Sequence, residues 1–296
     1  MPNDSGLGRS RDKPRLRLSV VSGTFLCQLT GRQFRVPLRH SAMLSRGTMI
    51  NLNRILLHQL EPEPYRWAAI DGLFCPRDAA ELAATFPEDH FKRLSHYGGD
   101  KDSEYEARAL VGMGERFISR ADELSSAWQE LANDFLSPAY RMALSSLTGI
   151  DLSAAPLEIN VFHYPPEGLL GAHADLQDKI VTHVLYFNRS WNDDDGGCLT
   201  ILRSSDPQDI VTTVSPVVGN SAVLVRSDNS WHAVSPVVKS CRLSRRSLTA
   251  TFYHPGSVST MWPPGDATAL HDYSLYSKRS PTGGWFEKLR QWRTRY

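Results

Sequence analysis

Cysteine is scarce in this 296-residue sequence: Cys27, Cys75, Cys198 and Cys241 lie far apart, with no CxxC pair and no Cys/His spacing of a zinc site. That excludes a disulfide-stapled scaffold and reads as reduced thiols in a cytoplasmic protein. No run of about 18 apolar residues occurs, so no membrane-spanning helix is expected. Residues 18–29 follow an Arg-rich stretch as a signal peptide would, but Ser19, Ser22, Gly23, Thr24 and Gln28 interrupt the apolar run. No internal repeat is present, which excludes a repeat array. Net charge is also small, +1, although it hides an asymmetry. Residues 1–46 carry nine Lys/Arg against Asp4 and Asp12, which leaves 24 Lys/Arg against 30 Asp/Glu in the rest. An acidic body has no electrostatic reason to hold a phosphate backbone, so nucleic acid is not an expected partner.

What is present divides into two textures. Pro76 suits the first turn of a helix over 77–85, since its missing N–H would be unpaired there anyway. Over 119–136, Leu124, Trp128, Leu131 and Phe135 recur at three or four and predict a helix with one buried face. Ser137-Pro138 interrupts it, and Pro138 opens a second helix ending near Gly149. After Leu152 the chain turns to short runs rich in Val, Ile, Thr, Tyr and Phe: LEINVFHY, IVTHVLYFN, CLTILR, IVTTVSPVV, SAVLVRS and SLTATFYHP. Turn-forming clusters such as PPEG, NDDDGG and SDNS separate them. Strands in series without intervening helices point to an antiparallel sandwich or barrel, mainly β with flanking helices (α+β), built on a double-stranded β-helix, or jelly roll. Trp285, Leu289 and Trp292 are spaced as the face of a terminal helix.

The chemistry begins at His173-Ala174-Asp175. In an extended chain, residues i and i+2 point the same way, so one strand can offer an imidazole and a carboxylate to one metal ion. A second imidazole would complete a face of three ligands. Two His and one carboxylate leave three open positions, the arrangement of non-haem iron(II) oxygenases. The tripeptide alone is weak: with 10 His and 20 Asp in the sequence, roughly 0.7 matches arise by chance. Its context is stronger. His232 follows a strand and a short turn, and Arg245 shares a strand face with Ser247. An Arg aimed into a barrel is costly unless it meets an anion, which a dicarboxylate supplies. Arg242 and Arg246 are alternative anchors. His163 and His183 lack a paired carboxylate and read as core or pocket residues. Asp193, Asp194 and Asp195 read as a solvated turn, since calcium-loop spacing is missing.

In order and spacing, NVFHYPPEGLLGAHAD, VLYFNRSW, DGGCLTIL, VGNSAVLVRSDNSWHAVSPV and RRSLTATFY resemble the prolyl-hydroxylase-like branch of the 2-oxoglutarate/iron(II) oxygenases, over about residues 156–256. The resemblance implies His173, Asp175 and His232 as iron ligands and Arg245 as the partner of the distal carboxylate of 2-oxoglutarate. It adds Tyr186 at that same carboxylate, and Tyr164 lining the pocket. The implied reaction consumes O2 and 2-oxoglutarate, with ascorbate an occasional auxiliary, releases succinate and CO2, and hydroxylates a C–H bond of a small molecule, amino acid or peptidyl proline. With Asp175 supplying a carboxylate where a halide would need an open position, halogenation is not expected. A cupin-like dioxygenase or isomerase without 2-oxoglutarate, and a degenerate jelly-roll binding module, stay open at this point, as do substrate and oligomeric state.

The expected organisation is a flexible basic tail over 1–48, with Met49 opening the folded part. A mainly helical region over 49–150 then packs on the core. The oxygenase jelly roll spans 151–256, and an extension over 257–296 ends in the terminal helix.

Overall fold

A computed structural model describes residues 18–21, 24–29, 32–35, 48–98 and 102–262. Two compact units emerge, Met1–Gly47 and Thr48–Tyr296. In the first, where the sequence predicts a tail, β1 (Leu18–Val21), β2 (Thr24–Leu29) and β3 (Arg32–Arg35) form a three-stranded antiparallel sheet in that order. The expected terminal helix around Trp285, Leu289 and Trp292 lies outside the described residues.

The second unit holds helices α1 (Leu52–Leu56), α2 (Pro76–Ala84), α3 (Ser126–Leu136) and α4 (Pro138–Thr148). Pro76 occupies the first turn of α2 as its chemistry predicts. The apolar pattern from Ser119 predicts one long helix, yet α3 starts only at Ser126. Arg120 adopts a left-handed φ of 51°, a single 3-10 turn follows over Ala121–Glu123, and Leu124 is extended. Ser125 then caps α3 by accepting from the Trp128 N–H, and Ser137 does the same for α4 through Tyr140. α4 stops at Gly149, whose φ of 68° suits glycine.

The remaining elements are strands: β4 (Trp67–Ile70), β5 (Lys92–His96), β6 (Ser103–Val111), β7 (Leu157–Tyr164), β8 (Leu169–His173), β9 (Lys179–Tyr186), β10 (Leu199–Leu202), β11 (Ile210–Val214), β12 (Ser221–Val225), β13 (His232–Val234) and β14 (Arg245–Tyr253). Region 49–150 therefore contributes three strands beside its helices. All pairings are antiparallel, in the order β11-β10-β13-β8-β6-β7-β14-β9-β12-β4, with β5 on the free side of β6. β6 and β8 meet through only Ser103↔Leu170 and Glu104↔Leu169, so the sheet turns a corner there into two facing layers. The result is a nearly closed jelly-roll barrel.

Strand periodicity separates the helix-facing core from the apolar clusters inside the barrel. On β7, Ile159 and Val161 join the cluster formed by α3, α4 and the outer sheet face, whereas Phe162 and Tyr164 pack inward with Val234 and Val237. On β9, Val181 and Leu185 face the helices while Val184 and Tyr186 meet Leu199 and Ile201 across the interior. Trp128 anchors the helical layer. Its ring is fully buried, its centroid lies 4.7 Å from that of Phe187, and its indole N–H donates to the Leu82 carbonyl at 3.1 Å.

Candidate metal centre

His173 ends β8 and His232 begins β13, and the two are direct cross-strand partners with ring centroids 4.3 Å apart. Asp175 lies past the end of β8 rather than within it. Its carboxylate is turned onto the same spot by β9, where Thr182 Oγ1 donates to Oδ2 at 2.9 Å and Lys179 Nζ to Oδ1 at 2.7 Å. One ligand atom from each of His173, Asp175 and His232 falls within 4.8 Å of the others. Nδ1 of His173 is 2.9 Å from the Gly171 carbonyl, and Nδ1 of His232 is 2.9 Å from the Ser230 carbonyl. A carbonyl can only accept, so these contacts assign the proton to Nδ1 and make Nε2 the lone-pair nitrogen of each ring. Burial works to raise the Asp175 carboxyl, but the Lys179 ammonium, the largest opposing charge, outweighs it and helps hold it well below the usual carboxylate range. Two lone-pair imidazoles and an ionised carboxylate on one rim suit a divalent metal such as iron(II).

The second half of the centre surrounds Arg245, which is 1% exposed. Its Nε donates to the Gly197 carbonyl at 2.7 Å and its Nη1 to Ser247 Oγ at 2.6 Å. The guanidinium carbon lies 4.6 Å from the centroid of Tyr164 and 5.2 Å from that of Tyr186. Among the described residues no carboxylate pairs with it. The buried Tyr186 phenol lies against this guanidinium, while toward the other end of the barrel the Tyr65 hydroxyl is buried without a hydrogen-bond partner among the described residues. Burial pushes the Tyr186 phenol up, with the Arg245 charge opposing, so it stays protonated. A buried cation without a counterion among the described residues, beside a buried phenol, fits an anionic ligand held by hydrogen bonds.

The other candidates point elsewhere. Arg246 stacks on Phe86 with its guanidinium carbon 5.0 Å from the ring centroid, and Arg242 is exposed. His163 pairs with Glu106 at 2.9 Å on the outer face. His183 is buried against Tyr140, its Nδ1 2.9 Å from the phenol oxygen, and burial pushes it down to about 3. Asp193–Asp195 form a 3-10 turn. The glycines that follow serve Arg245: Gly196 and Gly197 have φ of 70° and 68°, which turns the Gly197 carbonyl to the guanidinium. Lys179, Thr182 and Tyr65 were not singled out by sequence. Thr182 shares a strand face with Tyr186, a period-2 signal that could have found it.

A jelly-roll barrel with a His/His/Asp set at its rim is a facial-triad arrangement that could hold a divalent metal. Residues 159–253 match the family described as the 2OG-Fe(II) oxygenase superfamily. That segment, about a third of the chain, is similar to the 2-oxoglutarate/iron(II) oxygenases. The chain is 30% identical over 120 residues to prolyl 3-hydroxylase OGFOD1 of Mus musculus, an alignment covering 39% of this chain and 22% of that protein. The chain thus spans about a fifth of that relative's length. Similar solved structures include a Pseudomonas putida prolyl-4-hydroxylase, with 21% identity, TM-score 0.45 and coverage of 69% of this chain and 97% of that one. Another is a Trichoplax adhaerens prolyl hydroxylase in complex with a hypoxia inducible factor peptide fragment, with 14% identity, TM-score 0.47 and coverage of 69% and 87%. No helix among the described residues is long and apolar enough to cross a membrane.

Proposed function

We propose that the chain hydroxylates a C–H bond of a peptidyl proline, an amino acid or another small molecule, converting 2-oxoglutarate and O2 to succinate and CO2. One oxygen atom enters succinate and the other the product hydroxyl. The carrying observation is Arg245, a buried guanidinium without a carboxylate partner among the described residues, in the same barrel as the His/His/Asp set. A cupin-like enzyme without a dicarboxylate cosubstrate has no use for that charge.

In this reading His173, Asp175 and His232 hold iron(II), which supplies the redox chemistry and open positions for cosubstrate and O2. Arg245 and Tyr186 bind the distal carboxylate of 2-oxoglutarate. Ser247 accepts from Nη1 and, with the Gly197 carbonyl, fixes the plane of the guanidinium. Tyr164 lies against the guanidinium and lines the pocket wall. Lys179 and Thr182 orient the Asp175 carboxylate. The name of the mouse relative, a prolyl 3-hydroxylase, favours a peptidyl-prolyl substrate. Free Cys75, Cys198 and Cys241 suit a reducing cytoplasm.

The test is succinate formation by the Fe(II)-loaded full chain, screened over prolyl peptides, free amino acids and small molecules. Substrate-stimulated succinate release that His173→Ala abolishes is expected. Release that survives His173→Ala would contradict the assignment.

A further inference from the structure

One phenol in the barrel interior comes from well upstream of the matched segment. Tyr65, just before β4, is 4% exposed and packs with Trp67, Val184, Tyr186 and Leu224. Its neighbours are fastened to both ligand-bearing loops. The Arg66 carbonyl accepts from the Val225 N–H at 3.0 Å, and the next residue, Arg226, reaches the Asp175 carbonyl through Nε at 3.4 Å. The Pro64 carbonyl accepts from Asn229 Nδ2 at 2.9 Å, three residues before His232. The 64–66 segment is therefore held at the metal end of the barrel.

The Tyr65 hydroxyl is buried and, among the described residues, has no hydrogen-bond partner. Burial pushes the phenol up, so it remains a donor. The cluster's other buried phenol, Tyr186, stands at the opposite end, where Tyr186 pairs with Ser247 beside Arg245. Two buried phenols thus bracket the interior, one beside the guanidinium and one at the metal end. A linear 2-oxo dicarboxylate lying between Arg245 and the metal face presents an acceptor at each end. An unpaired buried hydroxyl is destabilising unless a ligand completes it.

We propose that Tyr65 is a cosubstrate-binding residue whose hydroxyl donates to the metal-side carboxylate of 2-oxoglutarate, holding that end in register with the His173/Asp175/His232 face. The assignment rests on the 2-oxoglutarate reading above. It gives the region upstream of the matched segment a direct part in the centre, since Trp67 to Ile70 pair with Leu224 to Ser221 and carry the residue into the barrel.

The experiment compares wild type with Tyr65→Phe as full chains. Calorimetry gives Mn(II) affinity and then 2-oxoglutarate affinity of the Mn(II)-loaded protein, and a thermal melt checks the metal-free fold. The expected result is an unchanged or raised melting midpoint, Mn(II) affinity within about twofold, and 2-oxoglutarate binding weakened about tenfold. An unchanged 2-oxoglutarate affinity would overturn the assignment. So would weakened Mn(II) binding with 2-oxoglutarate affinity intact, which would make Asp175 the partner of the phenol. A wild-type protein that binds Mn(II) but not 2-oxoglutarate would sink the underlying reading as well. A silent Tyr65→Phe on a wild type that binds 2-oxoglutarate sinks only the role of Tyr65.

Discussion

His173 and His232, 59 residues apart in sequence, stand directly opposite each other where β8 pairs with β13, their ring centroids 4.3 Å apart. The register of two strands, rather than any local motif, brings the imidazoles together, and the turn after β8 adds Asp175. A divalent metal bound by all three ties β8, β13 and the start of β9 to one another.

Metal binding should therefore stabilise the fold. Mn(II) at about 100 times its dissociation constant is expected to add roughly 2.7 kcal/mol. The rise should appear in wild-type chemical denaturation and vanish in His232→Ala. Equal stabilisation of both proteins would place the metal elsewhere.

Arg245→Ala removes a buried cation that makes two hydrogen bonds of 2.7 and 2.6 Å within the barrel. Its remaining guanidinium donors would pair with the distal carboxylate, and charge-assisted bonds are worth about 1.5–3 kcal/mol each, so 2-oxoglutarate affinity should fall by roughly two orders of magnitude. Arg246→Ala, which removes a guanidinium stacked on Phe86, should leave that affinity within about twofold. Calorimetry on the Mn(II)-loaded proteins separates the two residues.

His183 gives a pH signature to stability. Burial holds its folded-state value at about 3, below the ordinary value of 6.5, so between these limits the unfolded chain binds the extra proton. Its contribution is full above pH 6.5 and is lost as pH falls toward 3, with a slope of about 1.4 kcal/mol per pH unit. Urea unfolding between pH 7 and 5 should show a shallower pH dependence in His183→Gln than in wild type. Parallel slopes would mean that the imidazole is not held neutral.

Ser125→Ala removes the oxygen that accepts from the Trp128 N–H at 3.3 Å and also donates to Thr85 Oγ1 at 2.9 Å. Loss of such a cap costs about 1 kcal/mol. Urea unfolding should register this destabilisation while 2-oxoglutarate binding stays unchanged, since Ser125 caps a helix outside the barrel.

Six strands after Leu152 were legible because turn chemistry brackets them, whereas the short β8 and β13 that carry His173 and His232 were not among the runs read as strands; the order from Tyr164 through His173, Asp175, Tyr186 and His232 to Arg245 was legible because spacing survives in sequence. Region 49–150 was harder. Over Glu104–Ala109, charged Glu104, Glu106 and Arg108 alternate with Tyr105, Ala107 and Ala109, a period-2 signal for β6 whose charges and alanines disguise it as a helix or loop. Trp67-Ala-Ala-Ile carries no alternation at all, and it becomes a strand only because β12 pairs with it. Tyr65 inherits its position from that pairing, so nothing local could announce it. The 3-10 turn before α3 was masked by the apolar Leu124, whose spacing matches the helix it does not enter.

The most direct test of the central claim is anaerobic titration of the Fe(II)-loaded chain with 2-oxoglutarate. Saturable growth of a weak visible charge-transfer band is expected, lost in His173→Ala and shifted to much higher 2-oxoglutarate concentration in Arg245→Ala. Absence of any band from wild-type protein that has bound Fe(II) would contradict the account.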